Sequence, residues 1–457
     1  MDLFNPSDPR PVHFVGIGGA GMSALALIAR RRGVPVSGCD PEPGGAADVA
    51  ALGAQVADRH DPAHAAGARA LVYTAAVPAD HPELVRAREL GIPVIPRKEA
   101  LAGLVAGGTV VGIAGTHGKT TTTVMTTEAL AAAGLAPTGL AGGRVGQWGG
   151  NARLDSDTLF VVEADEYDQA FLALHPTVAV VNNVESDHLE CYGSFEALEE
   201  AFVTFAGRAR IRLVGVDDPG AARLAARLGP GTLRFGSAAD AELRISEVRQ
   251  GPELTTATVQ LPGRDSVTLR LRVPGLHNLR NATAALGVVH ALGGPIEAAL
   301  AALGEFRGVG RRFERLGDAG GVTLVDDYAH HPTELVATLE AARQAFPGRR
   351  LVAVFQPHLY SRTQAHSTEM GRALAAADVA VVTEIYGARE QPVPGISGAL
   401  VVEAARTAGA DVHFAPVRSA VAALVRGLLR PGDVVLTLGA GDITRLGPEL
   451  AAGLRTG

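Results

Sequence analysis

"TVVGIAGTHGKTTTT", Thr109–Thr123, passes from an apolar run through a turn carrying Gly115 and Gly118 into a threonine-rich run. A strand, a glycine turn and a helix in that order bring backbone N–H groups to a helix N-terminus, where an anion is stabilised. The usual phosphate loop reads G-x-x-x-x-G-K-[ST], and its first glycine should stand five residues before Gly118, where this chain has Ile113. The remaining parts are present. Gly115, Thr116, His117 and Gly118 supply the turn, Lys119 the charge for β- and γ-phosphates, Thr120 a hydroxyl for Mg²⁺, and Thr121 continues into the helix.

Lys119 stands out against the composition. Of 41 basic residues only Lys98 and Lys119 are lysines. A planar guanidinium and a compact ammonium are not interchangeable at a phosphate, so a lysine retained in an arginine-rich chain marks a position that needs a point charge.

Outward from the loop, the 457 residues divide by texture into three expected domains, 1–106, 107–308 and 309–457. The first opens with the strand–turn–helix "PVHFVGIGGAGM" and a second strand, "VPVSGCD". The second holds the loop, the apolar strands "DTLFVVE" and "TVAVVNNVESDH", and alternating segments between residues 241 and 273 that read as antiparallel strands at a sheet edge. The third repeats apolar strands followed by polar turns and helical runs. The expected fold class is α/β with a Rossmann-like N-terminal domain, a central P-loop ATPase with a mixed sheet, and a Rossmann-like C-terminal domain.

A net charge of −7 gives no basic field for nucleic acid, and no apolar run is long enough to span a bilayer. The polar start "MDLFNPSDPR" does not read as a signal peptide, and Cys39 and Cys191 make no disulfide framework. The expectation is a cytoplasmic protein with neither nucleic-acid nor membrane partners.

Three clusters carry chemistry. Gly16, Gly18 and Gly21 fit G-x-G-x-x-G after a strand, with Asp40 at the end of the next strand, a pattern that holds the diphosphate of NAD or of a nucleotide sugar. Glu163 ends a strand where a carboxylate can face Thr120 across a Mg²⁺, and His188 follows the next strand as a further polar candidate. "DDYAHHP" (Asp326–Pro332) and "QPHLYSRT" (Gln356–Thr363) add histidines and Arg362, whose fork suits a carboxylate.

Taken in order, "HFVGIGGAGMSALA", "GTHGKTTTT", "EADEYD", "NNVESDH", "HNLRNA", "GVGRRFE", "DDYAHHPTE" and "FQPHLYSRT" resemble the Mur ligase family, the ATP-dependent amide-forming enzymes of peptidoglycan precursor assembly. The resemblance covers essentially the whole chain. Its loop is itself of the short G-T-x-G-K-T form, so Ile113 is a family trait.

The resemblance implies a UDP-sugar at the first domain, ATP at the second and an amino acid at the third. Gly18, Gly19, Gly21 and Met22 would face the sugar nucleotide, with Asp40 nearer the uridine. Thr120 and Glu163 would hold one Mg²⁺ and His188 a second, with Mn²⁺ as an alternative ion. Asn278 and Asn281 look like adenine-side residues, and Arg312 is similar to the arginine that reaches the γ-phosphate. Tyr328, His330, His358 and Arg362 would place the amino acid, with Lys119, Arg312, His188 and His330 as the catalytic set. The implied activity joins L-alanine to the lactyl carboxylate of UDP-N-acetylmuramate through an acyl phosphate, in a monomer or homodimer. Leu359, where many members have arginine, and Tyr167, where many have serine, depart from the pattern. Tyr167 also occurs in relatives that attach recycled tripeptide, which is the alternative activity. Several relatives use a carbamoylated lysine at a metal, but Lys119 is the only lysine of this chain's central domain.

Overall fold

The computed structural model describes residues 3–388 and 390–455. They fold into two compact units. The first holds residues up to Glu247 with Ala257–Leu269 and Arg280–Glu305; the second holds Val248–Thr256, Arg270–Leu279 and the chain from Phe306 onward.

Three sheets organise the chain. The first contains β1 (Val12–Val15), β2 (Val36–Cys39), β3 (Gln55–Ala57), β4 (Ala70–Tyr73) and β5 (Val94–Pro96), in the order β3-β2-β1-β4-β5 and parallel throughout. This is the Rossmann-like half expected from the opening strand–turn–helix.

The second sheet contains β6 (Thr109–Ala114), β7 (Thr138–Val145), β8 (Gly150–Arg153), β9 (Leu159–Glu163), β10 (Val178–Val181), β11 (Ile211–Gly215), β12 (Thr232–Gly236), β13 (Leu243–Gln250), β14 (Thr255–Val259) and β15 (Val267–Leu271). Their order is β15-β14-β13-β12-β11-β10-β6-β9-β7-β8. β6 lies between β9 and β10 and runs parallel to both. The three strand ends therefore open on one edge, which is why the phosphate loop, Glu163 and the "NN" of Asn182–Asn183 meet although they stand far apart in the sequence. The sheet is mixed, because β7 and β8 pair antiparallel. β13, β14 and β15 lie at the sheet edge, but β13 meets β12 in parallel register, Phe235 opposite Leu243.

One apolar core runs through the first unit. It joins Val12, Phe14, Leu25 and Leu27 of the N-terminal sheet and helix to Val110, Phe160, Phe171, Phe202 and Phe205 around the central sheet. Polar ties reinforce it: Arg31 donates to the carbonyls of Trp148 and Ala152, and Asn151 to that of Ala20.

The second unit is built on β16 (Glu314–Ala319), β17 (Val322–Asp327), β18 (Leu351–Phe355), β19 (Val379–Thr383), β20 (Val412–Ala415) and β21 (Val434–Leu438), ordered β16-β17-β21-β18-β19-β20. Only the edge strand β16 is antiparallel to its neighbour. β17 and β18 lead into the polar stretches that begin at Asp326 and Gln356.

Candidate active site

The glycine turn expected to hold a diphosphate follows β1. Gly16 has a φ of 82°, which a side chain would strain, and its N–H donates to the carbonyl of Cys39. The helix Ala20–Arg31 begins at Gly19 with no side-chain cap, an uncapped N-terminus of the kind that suits an anion. Asp40 does more than close the strand. Its carboxylate accepts from the N–H of Gly18 at 2.9 Å and from that of Glu42 at 2.9 Å, clamping the turn from behind. A Cβ on Gly21 would lie 2.7 Å from Nη1 of Arg97, which brings a guanidinium to the mouth of the turn. No spacing in the sequence points to Arg97, because the first sheet and its covering helices have to form before it reaches Gly21.

Gly45 is the tightest point. A Cβ there would approach the carbonyl oxygen of Gly18 to 2.0 Å, and neither backbone can yield alone. Gly45→Ala is expected to displace the turn, raising KM for a diphosphate substrate at least about tenfold and lowering stability by roughly 1–3 kcal/mol. Steady-state KM values for sugar nucleotide and ATP, with thermal melting, check this; an unchanged sugar-nucleotide KM would refute the role of the turn.

In the phosphate loop Gly115 and Gly118 have φ of 131° and 77°. Neighbouring strand ends hold the loop open: the side chain of Asn183 accepts from the N–H of His117 at 2.7 Å, and Asn182 donates to the carbonyl of His117 and to the Thr122 hydroxyl. Buried Asn281 lies beside Gly118, 2.7 Å from where a Cβ would stand. Asn182 and Asn183 stand in the stretch "NNVESDH", but nothing in their spacing distinguishes a loop support from a solvated strand end.

Lys119 Nζ is folded into the loop. It donates to the carbonyls of Gly115 (2.8 Å) and Thr116 (3.2 Å) and to both carboxylate oxygens of Glu166 (2.9 and 2.8 Å). Burial alone would drive the proton off, but Glu166, Asp165 and Glu163 around it keep the ammonium charged. Glu166 is itself buried and anchored through its carbonyl, which accepts from the Tyr192 hydroxyl at 2.6 Å.

Glu163 faces Thr120. The Thr120 hydroxyl donates to Glu163 Oε1 at 3.1 Å, and the other oxygen, Oε2, accepts from the N–H of Gly142 at 2.6 Å. A hydroxyl and a backbone-oriented carboxylate form a hard oxygen pair, the donor type Mg²⁺ prefers. His188 stands at the N-cap position of the short helix Leu189–Tyr192 at φ 53°, its Nδ1 3.3 Å from Glu190 and its ring edge-on to Tyr167 at 5.2 Å. Every acid of "EADEYD" is thus engaged, since Asp165 lies 4.0 Å from Arg97 and Asp168 3.1 Å from Lys98.

The second unit gathers the other candidates. The Tyr328 ring packs under the guanidinium of Arg312 at 4.9 Å, and His330 Nδ1 lies 2.9 Å from the carbonyl of Tyr328 and 3.2 Å from Glu334. His358 stands 5.9 Å from the His330 ring, and its Nδ1 is 3.1 Å from Nη1 of buried Arg362. Leu359 adopts a φ of 70°, where a branched side chain is strained, and its N–H donates to the carbonyl of Tyr386. Asp327 supports the cluster from below, accepting from the N–H groups of Phe313 and Ala329; burial pushes its carboxyl up to about 6. Asn278 belongs to this unit and donates to the carbonyl of Pro274 at 2.7 Å.

Known proteins match the chain in three consecutive stretches. Residues 11–109 match the model described as Mur ligase family, catalytic domain; 113–289 match the Mur ligase middle domain, and 311–441 the Mur ligase glutamate ligase domain. The chain is 45% identical to a UDP-N-acetylmuramate–L-alanine ligase of Streptomyces griseus, over 97% of each chain. It is 47% identical to the protein of the same name from Streptomyces coelicolor, over 96% of each. The crystal structure of a UDP-N-acetylmuramate–alanine ligase from Thermotoga maritima superposes with a TM-score of 0.85 at 29% identity, covering 98% of this chain and 99% of that one.

Proposed function

The chain belongs to the Mur ligase family, and we propose that it joins L-alanine to the lactyl carboxylate of UDP-N-acetylmuramate, converting ATP to ADP and phosphate. The observation that carries this reading is the 45–47% identity, across nearly the full length, to ligases named for those two substrates. That identity favours alanine over the recycled tripeptide raised by Tyr167. The reaction belongs to peptidoglycan synthesis and is assigned to the cytoplasm; no helix among the described residues is long and apolar enough to cross a membrane.

A carboxylate is a poor acyl donor. Transfer of the γ-phosphoryl group to it makes an acyl phosphate, and attack by the alanine amine forms the amide and expels phosphate. Gly18, Gly19, Gly21 and Met22, with Asp40 behind the turn, hold the sugar nucleotide at the uncapped helix N-terminus. Gly115–Thr121 cradle the ATP phosphates, and Lys119 exchanges Glu166 for phosphate oxygens. Thr120 and Glu163 would hold one Mg²⁺ and His188 a second, and Mg²⁺ when bound neutralises charge on the phosphoryl oxygens. Asn281 beside the loop, with Asn278, is assigned to the nucleotide, and Arg312 to the γ-phosphate. In the second unit Arg362 takes the alanine carboxylate, with Tyr328, His330 and His358 fixing the amine.

The test is phosphate release with UDP-N-acetylmuramate, ATP and a panel of amino acids. Release is expected with L-alanine. Release that depends on tripeptide and not on alanine would establish the alternative, and no alanine-dependent release from folded protein would overturn the assignment.

A further inference from the structure

Away from the phosphate loop, the N-terminal sheet carries a second group of ligand-type side chains. His13 lies on β1, Cys39 ends β2, His64 belongs to the 3-10 turn Pro62–Ala65, and Glu83 stands in the first turn of the helix Pro82–Glu89. One donor atom from each lies within 4.8 Å of the donor atoms of the other three. Three of them are almost wholly enclosed: His13 is 2% exposed, and Cys39 and Glu83 are 0% exposed.

The close donor pairs stand 2.9–3.8 Å apart, bracketing the spacing of a coordination sphere, with His64 Nδ1 2.9 Å from Glu83 Oε1. Cys39 Sγ is 3.6 Å from His13 Nε2 and 3.1–3.2 Å from the Glu83 oxygens; His13 Nε2 is 3.8 Å from Glu83 Oε2. Metal–ligand lengths of about 2.0–2.3 Å set at tetrahedral angles place neighbouring donors about 3.3–3.5 Å apart. The surrounding contacts aim these atoms inward. His13 Nδ1 is 2.9 Å from the Ser37 hydroxyl, which leaves Nε2 to face the thiol, and the N–H of Asp61 donates to Glu83 Oε1 at 2.8 Å. Such outer partners fix the tautomer and orientation of metal ligands. His60 Nδ1 approaches Cys39 Sγ to 3.1 Å. His60 and His64 keep 29% and 27% of their side chains exposed, giving an ion a way in.

An ordinary buried ion pair does not account for this group. Among the described residues the ion-pairing partners of Glu83 are the imidazoles of His13, His60 and His64, with no lysine or arginine. The apolar cluster on this side of the sheet is small and rich in short side chains, formed by Val15, Cys39, Ala65, Ala68, Leu71, Leu84 and Ala87. Thiolate, imidazole and carboxylate together suit zinc better than Mg²⁺ or Ca²⁺.

We propose that His13, Cys39, His64 and Glu83 form a tetrahedral zinc site that pins β1 and the end of β2 to the turn and helix covering them. Binding takes up the ion and releases the Cys39 proton to solvent. The carbonyl of Cys39 accepts from the N–H groups of Gly16 and Ile17, so the ion fixes the strand end from which the diphosphate turn departs. The role is structural and independent of the ligase reaction.

The experiment is zinc analysis and Co²⁺ titration of the full chain, with Cys39→Ser, His64→Asn and Cys191→Ser variants. The expected result is one tightly held zinc per chain and a Co²⁺ form with tetrahedral absorption and a thiolate-to-cobalt charge-transfer band. Cys39→Ser should abolish the band and weaken zinc binding at least about 100-fold, His64→Asn should weaken it, and Cys191→Ser should leave both intact. If Cys39→Ser does not fold, wild type, His64→Asn and Cys191→Ser still decide the matter. Absence of the charge-transfer band in wild type, its loss in Cys191→Ser, or unchanged zinc affinity in His64→Asn would each overturn the proposal.

Discussion

Replacing Lys119 with arginine is expected to lower kcat by at least about 100-fold while leaving the protein folded. Elsewhere in this chain arginine supplies nearly all positive charge, so the exchange looks conservative. At this position it is not. The ammonium is tucked inside the loop against two backbone carbonyls and both oxygens of Glu166, and four acceptors close around one small cation. A guanidinium is longer and planar; it overshoots that pocket and cannot swing between Glu166 and a phosphate as a point charge. Pre-steady-state phosphate release separates the chemical step from binding, and thermal melting reports the fold. A rate like that of the wild type would show that the loop needs positive charge of any shape.

Glu163→Gln is expected to cost roughly 100- to 1000-fold in kcat and to shift the Mg²⁺ requirement upward. Both oxygens of Glu163 are committed, one to the Thr120 hydroxyl and one to the N–H of Gly142. An amide keeps one acceptor, but its NH2 must then face a donor or turn into the position proposed for the metal. Gly142 is part of the same device: a Cβ there would come within 2.6 Å of Glu163 Oε1. Rates measured across a Mg²⁺ titration check the idea, and an unchanged Mg²⁺ dependence would remove Glu163 from the metal.

What the sequence discloses and what it hides divide along physical lines. Gly16, Gly115 and Gly118 are legible because a positive φ is a demand of the local backbone. Glu163 is legible because a strand in a parallel sheet delivers its last residue to the ligand edge. The partner of Lys119 is not: of the acids in "EADEYD", only the turn after β9 decides that Glu166 points back into the loop. Asn182, Asn183 and Arg97 act across the sheets, and no local spacing encodes the strand order β10-β6-β9. Joining of the N-terminal and central sheets in one compact unit is likewise hidden, because it rests on a core drawn from helices and strands far apart in the sequence. The four proposed zinc ligands follow no repeat interval, and counting cysteines for disulfides does not reveal Cys39.

The scarcity of lysine has a practical side. Lys98 and Lys119 are the only lysine amines in the chain, and they grip Asp168 and Glu166, two residues apart on one acidic segment. An isotope label directed at lysine side chains therefore reports two positions, each against that segment, and nowhere else. In most enzymes of this size such a label would be drowned by surface lysines, whereas this chain is already built as its own two-channel reporter.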